Sequence, residues 1–412
     1  MTPFNKPYLT GNVSKSTEKS VRSEKISDNK FIDSIAFIAR RKYVYSISFL
    51  LLFICFLYIA FFSEAGDIRD HASMARNVLA GKPLPGNFIL YSLMLLFSFF
   101  IPSGRLICVV LCVLLSLACV FRLFLVEKDV VSIDNRYKNN NKSLLLSLSL
   151  LFVFAIPNYG LFSSGAFYMG NFVPNVWHNS TTIFLLPFAL LLFQYSCKQI
   201  ESFDKKRNLW ISLFVFLNIF IKPNYFFVWI CVYPLFLLFK YKFTKTFWLS
   251  IIPVLVGVIL ISLEYIVIFQ NTTSTDAGIA IEPFAAYTAY GEKAAFPYAL
   301  FFSYLFPLFY FIFNWRKISN NKVFVFAFVS TVLSIVISEL LAETGTRASH
   351  GNFYWQVVVC TWLLFYVCFL DLLKNWKKNK RKKNIFLMSS YCTHVLAGIV
   401  YVFKYMITGY FY

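Results

Sequence analysis

The stretch that decides the fold is VYSISFLLLFICFLYIAFFS, residues 44–63, which carries no charged side chain. A helix of this length is about 30 Å long, which matches the thickness of the hydrocarbon core of a bilayer. Within lipid, a single segment satisfies all of its backbone groups only as a helix. The stretch therefore predicts a membrane-spanning helix.

Further apolar segments of similar character follow along the chain. They are Phe88–Ile101, Leu106–Val126, Ser143–Pro157, Thr181–Cys197, Leu209–Ile221, Tyr225–Phe239, Phe247–Phe269, Tyr298–Phe313, Val323–Leu341, Phe353–Leu373 and Ile385–Thr408. Hydrophobic residues make up 58% of the 412 residues and charged residues 14%, a balance that a soluble domain could not bury. The sequence predicts an all-α, polytopic transmembrane helical bundle of about 11–12 spans. Phe88–Ile101 ends at Pro102 and is short, so we expect a re-entrant or half-length helix there.

The cationic residues are unevenly placed. Of the 39 Lys and Arg residues, 30 lie in the stretches 1–43, 127–142, 198–207, 240–245, 315–322 and 374–383. This asymmetry follows the positive-inside rule, so it indicates a cytoplasmic N-terminus rather than a nucleic-acid partner. We expect residues 1–43 to be a disordered basic cytoplasmic tail and 44–412 a single transmembrane domain. The nine cysteines lie in or beside apolar segments and predict no metal site.

The segment after the first span carries the first candidate site residues. Ile68, Ala72, Ala75 and Leu79 recur at helical spacing and predict a short amphipathic helix on the outer surface. Asp67, Asp70 and His71 share a neighbouring face, where a carboxylate could accept a proton from a substrate hydroxyl. An ordinary N-cap role for Asp67 fits the residues equally well.

Two later segments on the same predicted face are also unusually polar. Asn175, His178 and Asn179 are predicted to share a helical face at a helix start, suited to an anionic or hydroxyl-rich ligand. The alternative is that Trp177 is an interface anchor with incidental polar neighbours. Lys222, in a Lys-Pro-Asn turn, is either a ligand-binding cation or a snorkelling lysine.

The last outer segment adds a possible anion-binding group. Glu339 and Glu343 are expected one turn apart at the end of a span, and Arg347 and His350 follow in a short loop. Arginine suits bidentate phosphate binding, but an Arg347–Glu343 ion pair that only orders the loop is also possible. His394, deep in the last span, is interpreted as a satisfied core residue.

The order of these motifs resembles the GT-C-type bacterial membrane glycosyltransferases, in a branch found in surface-polysaccharide loci. The resemblance rests on Asp67 and His71 in the first outer loop and on the Asn175-Val-Trp-His-Asn179 stretch. It also rests on the Lys222-Pro-Asn224 turn and on Gly345-x-Arg347 followed by His350. The motifs are short, although they cover most of the order of spans. This chain departs from the family in lacking a large outer domain, which leaves the acceptor and any metal requirement open.

The resemblance implies a multi-pass protein of the bacterial cytoplasmic membrane that takes a sugar from a polyprenyl-phosphate donor. It implies that Asp67, with Asp70 as the substitute candidate, is the catalytic base, and that Arg347, with Lys222 or His178, meets the donor phosphate. The expected acceptor is a cell-envelope glycan or lipid-linked glycan, and no cofactor is indicated. A polysaccharide polymerase or ligase is the alternative. A lipid-linked glycan transporter is less favoured, because the acids gather at one face instead of near the midplane.

Overall fold

The computed structural model describes residues 41–134, 141–157, 170–270, 278–288, 295–345, 351–376 and 381–411, together with residues 37 and 39. The chain divides into two compact units, Met1–Leu51 and Leu52–Tyr412. In the first unit, residues 41–51 are the beginning of a helix, so residues 41–43 do not belong to the expected disordered tail. The rest of that expected tail lies almost entirely outside the described residues.

The described chain is helical almost throughout. The helices are α1 Arg41–Phe62, α2 Ile68–Leu79, α3 Phe88–Phe97, α4 Gly104–Ile133, α5 Asn141–Phe152, α6 Ser180–Glu201, α7 Lys205–Ile221, α8 Asn224–Tyr241, α9 Lys245–Ser250, α10 Ile252–Gln270, α11 Ala285–Thr288, α12 Phe296–Ile318, α13 Lys322–Leu340, α14 Trp355–Lys374 and α15 Arg381–Thr408. Two short strands, β1 Ile279–Ile281 and β2 Leu341–Glu343, pair antiparallel.

The all-α polytopic architecture is confirmed. Within the described ranges, nine helices are long and apolar enough to cross a membrane, and each predicted apolar segment forms a helix. Of the remaining segments, α5 has 12 residues and α7 has 17. The predicted half-length helix is α3, whose 10 residues rise only about 15 Å, too little to cross a bilayer.

The fifth helix ends within the bundle instead of crossing it as a continuous helix. α5 stops at Phe152, and residues 153–157 continue without regular secondary structure. His394 supplies the hydrogen bonds that the backbone of Phe154 would otherwise make within a helix. Its Nδ1 lies 2.7 Å from the Phe154 carbonyl oxygen, and its own carbonyl accepts from Phe154 N at 3.1 Å. Non-helical backbone is tolerated at membrane depth where protein covers it in this way. The interpretation of His394 as a satisfied core residue is confirmed.

Asn175 also binds backbone groups at the end of α5. Its Nδ2 donates to the carbonyls of Leu150 at 3.1 Å and Val153 at 3.0 Å, and its Oδ1 accepts from Arg122 at 2.8 Å. Asn175 is 1% exposed, so its amide is fully used inside the protein. The predicted ligand-binding role of Asn175 is therefore wrong for this geometry, because no part of the amide is left to face a ligand.

One end of the second unit gathers the connections that the sequence places outside the membrane. We call it the Asp67 end, and it comprises 63–87, 170–179, 221–224, 278–288, 341–345, 351–354 and 409–411. Asp67 N donates to the His178 carbonyl at 3.1 Å, and Tyr354 donates its hydroxyl to the Asn171 carbonyl. Asn224 donates to the Asn352 carbonyl. These contacts bring the separate outer segments together.

In the second unit, the described residues of the basic stretches 198–207, 240–245 and 315–322 lie at the other end, which we call the basic end. Tyr241 donates to the Gln199 carbonyl at 2.8 Å, and Lys317 pairs with Asp371 at 2.9 Å. A cavity of about 360 Å³ lies between these segments, lined by Cys197, Ile200, Glu201, Lys240, Asn320, Asn321, Lys322 and Val323. The gathering of these basic stretches at one end agrees with the uneven distribution of Lys and Arg along the sequence.

Candidate functional site

Helix α2 forms as its apolar spacing predicts. Ile68, Ala72 and Ala75 are buried and hold the helix against the bundle. Asp67 occupies the N-cap position, but its side chain makes no capping hydrogen bond to α2. The interpretation of Asp67 as an ordinary N-cap of its own helix is therefore wrong, because its carboxylate is directed elsewhere.

The carboxylate of Asp67 is bound to the start of a different helix. Its Oδ1 accepts from Ser180 N at 2.8 Å and from the Ser180 hydroxyl at 2.6 Å. Ser180 is the first residue of α6, so a negative charge lies at the positive end of that helix dipole. On the other side, Asp67 Oδ2 lies 3.2 Å from His71 Nε2.

The hydrogen bonds decide the charge state of Asp67. Burial by itself would raise the pKa of Asp67, but the hydrogen bonds and attraction of His71 and the two hydrogen bonds from Ser180 outweigh it and lower the pKa below its usual value. A carboxylate offers about four lone-pair positions, and three are filled. Since the Asp67 side chain is 23% exposed, one position remains for an external donor.

His71 links Asp67 to the short helix α3. Tyr91 OH lies 2.6 Å from His71 Nδ1, on the opposite side of the ring from Asp67. Both contacts are satisfied when Tyr91 donates to Nδ1 and Nε2–H donates to Asp67. Asp70, one residue before His71, is exposed at the surface of α2. The structure therefore places Asp67 and His71 in the candidate site, while Asp70 faces away from it.

His178 lies beside Asp67, but in a bend before α6 and not on a helix. Helix α6 begins only at Ser180, so the predicted helical face shared by Asn175, His178 and Asn179 does not exist. The His178 ring stacks on Phe411 with centroids 3.8 Å apart, and its Nδ1 lies 3.2 Å from Tyr401 OH. Burial lowers the pKa of His178 to about 4, with Asp67 opposing and Lys222 adding to the effect.

Lys222 has all of its donors engaged. Its Nζ donates to Asn179 Oδ1 at 2.8 Å and to the hydroxyls of Thr181 and Thr182, each at 3.0 Å. The same ammonium lies 4.6 Å from the centre of the Trp355 ring. A lysine has three N–H groups, so none is left for a ligand in this arrangement. The snorkelling alternative is excluded by burial, because Lys222 is only 7% exposed.

Asn179 connects Lys222 to the helix that holds Asp67. Its Oδ1 caps α6 by accepting from Thr182 N at 3.1 Å, and the same oxygen accepts from Lys222. Burial lowers the pKa of Lys222 to about 7, and the charge of Asp67 opposes that shift. Asp67, His178 and Lys222 thus form one electrostatic group around the first turn of α6.

Glu343 lies on a different part of the Asp67 end. It belongs to β2, after α13 has ended at Leu340, so Glu339 and Glu343 do not stand one turn apart on a helix. Glu343 Oε2 accepts from Asn352 at 2.7 Å, and the Asn352 carbonyl accepts from Asn224 in the turn after Lys222. The predictions for Arg347 and His350 lie outside the described residues.

The sequence did not single out several residues that complete the site. They are Ser180, Thr181, Thr182, Trp355, Tyr401 and Phe411. The Asn-Ser-Thr-Thr run at 179–182 could have been found as a helix-capping signal. The aromatic residues carry no such signal, since they are a few among many in apolar spans. In the part of the chain that the structure describes, no three His, Cys, Asp or Glu side chains are grouped as metal ligands.

No protein-family model matches this chain, and no curated protein matches it.

Proposed function

We propose that this chain is a membrane glycosyltransferase that moves a sugar from a polyprenyl-phosphate donor to a cell-envelope glycan or lipid-linked acceptor. We place the reaction on the outer face of the bacterial cytoplasmic membrane, with the N-terminus inside. The observation that carries the proposal is the meeting of Asp67, His71, His178 and Lys222 at one end of an apolar helix bundle. An ionised, reachable carboxylate beside a membrane is what a hydroxyl acceptor and a lipid-borne donor would require.

In the proposed reaction, the acceptor hydroxyl donates its hydrogen bond to the unused position on Asp67 Oδ2. The acceptor oxygen forms a bond to C1 of the sugar while the bond from C1 to the phosphate oxygen breaks, and the phosphate leaves with the electron pair. The acceptor proton passes to Asp67. Because the pKa of Asp67 is lowered, this transfer comes late, after bond formation has made the acceptor oxygen positively charged.

The other groups hold Asp67 and shape the field around it. Lys222 has no free N–H, so its positive charge acts through space instead of by contact with the donor phosphate. His178 is neutral at pH 7. When Tyr401 donates to its Nδ1, its Nε2–H remains a donor, which we assign to the leaving oxygen.

The test uses the cell-envelope glycan of a strain that lacks this chain, complemented with variants. We expect the wild type and Asp70→Asn to restore the glycan component that the deletion removes, and Asp67→Asn to fail. Asparagine keeps an oxygen for Ser180 but has no negative charge, so the rate should fall at least about 100-fold. Asp70→Asn is the matched control, since Asp70 lies on the same helix and is exposed.

Mass spectrometry of the glycan separates the alternatives. A transferase is indicated when one sugar or branch is missing, and a polymerase or ligase when single repeat units accumulate. Full restoration by Asp67→Asn, at equal amounts of protein in the membrane, would contradict the assignment of the base.

A further inference from the structure

Three arginines lie around the start of α4, next to the Asp67 end. Arg69 and Arg76 lie about two turns apart on the same side of α2, and Arg105 is the second residue of α4. Arg76 Nη1 lies 3.7 Å from the position that a Cβ atom would take on Gly104. Arg69 is close enough to Cys108, one turn further along α4, for its charge to act on that side chain. All three arginines are exposed.

These guanidinium groups have no carboxylate partner among the residues that the structure describes. Arg69 donates one N–H to the Ser63 carbonyl at 2.6 Å, which orients it without neutralising it. The N-terminus of α4, which is the positive end of its dipole, lies at the same place. Like charges held together beside a positive helix end repel one another, so an anion there would lower the free energy.

Membrane orientation does not explain this cluster. The positive-inside rule accounts for the basic stretches at the opposite end of the bundle, and it predicts few cations at the Asp67 end. Arginines that oppose the rule therefore call for another reason, and ligand binding is the direct one.

The neighbouring surface is apolar and faces lipid. Phe97, Phe99 and Phe100 are 54%, 81% and 59% exposed, and they directly precede α4. Such side chains are stable in hydrocarbon and not in water. The arginines thus lie where hydrocarbon meets the polar surface, which is the depth of lipid head groups.

The geometry points to a site for the phosphate group of a membrane lipid, formed by Arg69, Arg76 and Arg105, with the lipid chain against Phe97, Phe99 and Phe100. Guanidinium groups bind phosphate oxygens through paired, charge-assisted hydrogen bonds. The inference involves no covalent step and does not depend on the proposed function. Either a bulk anionic phospholipid or a polyprenyl phosphate carries the required group.

The test measures lipid retention by the full-length protein in detergent, using native mass spectrometry. The added lipids are phosphatidylglycerol, a polyprenyl phosphate, and phosphatidylcholine, in which the phosphate is already paired with choline. We expect at least one of the two anionic lipids to bind better than phosphatidylcholine. The double variant Arg76→Gln/Arg105→Gln should bind the preferred lipid roughly tenfold more weakly. It leaves Arg69 and its bond to Ser63 in place.

Two further variants control for net charge. Lys82→Gln removes one exposed cation just beyond α2 and should leave retention unchanged. Arg76→Lys/Arg105→Lys keeps both charges but loses bidentate geometry, so retention should be intermediate. A preference for polyprenyl phosphate would identify the bound lipid as a carrier lipid. Equal retention of the two anionic lipids would indicate that the site binds bulk phospholipid. Equal binding of phosphatidylcholine, or full retention by Arg76→Gln/Arg105→Gln, would overturn the site.

Discussion

Asp67 gives one carboxylate oxygen to the first turn of α6 and the other to His71. The same side chain therefore tethers the first outer loop to a spanning helix and presents a negative charge to the exterior of the bundle. Tethering is strongest when every lone pair of the carboxylate is used, whereas the proposed role as a base needs one lone pair free. Three filled positions out of about four is a compromise between them.

The contribution of Ser180 can be measured separately. Ser180→Ala removes the 2.6 Å hydroxyl bond to Asp67 but keeps the backbone N–H bond. We expect the free energy of unfolding to fall by about 1.5–3 kcal/mol at pH 7, as for a lost hydrogen bond to a charged group. The check is unfolding of the protein in detergent, compared with the exposed control Ser73→Ala.

The pH dependence of that loss has a definite sign. The folded-state pKa of Asp67 is lowered, so its stabilising effect is present above the unfolded pKa of about 4 and is lost as the pH falls through the folded pKa. The difference between wild type and Ser180→Ala should shrink in that range. A difference that stays constant as the pH falls through the folded-state pKa of Asp67 would show that the bond to the carboxylate is not its source.

Lys222 also predicts that stability rises with pH, but in a higher pH range than Asp67. Its folded pKa of about 7 lies below the usual 10.5, so the folded state favours neutral lysine and stability rises with pH between about 7 and 10.5. Between pH 7 and 9 the gain should be about 2 kcal/mol. Lys222→Met should remove this slope, whereas the exposed Lys82→Met should keep it. Equal slopes in both variants, measured by unfolding in detergent, would contradict the prediction.

At the level of helices, the break after α5 depends on close contact with α15. A Cβ on Gly398 would lie 1.5 Å from the Phe152 carbonyl oxygen, a distance that atoms cannot adopt. The non-helical residues that follow Phe152 can therefore pack here only because position 398 carries no side chain. Sequence periodicity treats Ser143–Pro157 as a continuous apolar span, since nothing in the segment itself reveals the partner that breaks it.

Gly398→Ala tests this contact. The added methyl group must push α15 away from Phe152, which also disturbs the His394 contacts with Phe154. We expect the protein to be destabilised by about 3 kcal/mol, the upper range for overpacking. Leu396→Ala on the lipid-facing side of the same helix is the control and should change stability far less. Thermal unfolding in detergent measures both, and similar values would contradict the model of a tight helix crossing.

On the scale of the whole molecule, each predicted apolar segment contains a helix, although the ends differ by up to seven residues. Length and composition determine them, because a bilayer fixes how many apolar residues a helix needs. The apolar stripe of α2 was predicted equally well, since Ile68, Ala72 and Ala75 repeat at the helical period. These features depend only on neighbours in sequence.

The partners of the site residues could not be predicted in this way. Ser180 lies 113 positions from Asp67, and Tyr401 lies 223 positions from His178. No periodicity reports a contact at such a separation. Asn175 was misassigned for the same reason, since its role depends on carbonyls exposed by an unexpected break in α5.

The predicted orientation can be tested with cysteine labelling. In a variant without its nine native cysteines, Asp70→Cys and Lys206→Cys would mark the Asp67 end and the basic end. A membrane-impermeant maleimide should label Asp70→Cys in intact cells and Lys206→Cys only after permeabilisation. The reverse pattern would place the candidate site in the cytoplasm and exclude an envelope glycan as its acceptor.

The carbonyl of Gly409 accepts from Ser63 Oγ at 2.6 Å, Glu64 N at 3.1 Å and Ala65 N at 3.0 Å, so the last helix closes onto the loop that leads to Asp67. During translation, that loop is made hundreds of residues before its partner. The loop therefore lacks these hydrogen bonds until α15 has been synthesised and inserted into the membrane. The first outer loop would then reach its folded position only in a late step of biogenesis, after α15 has been inserted.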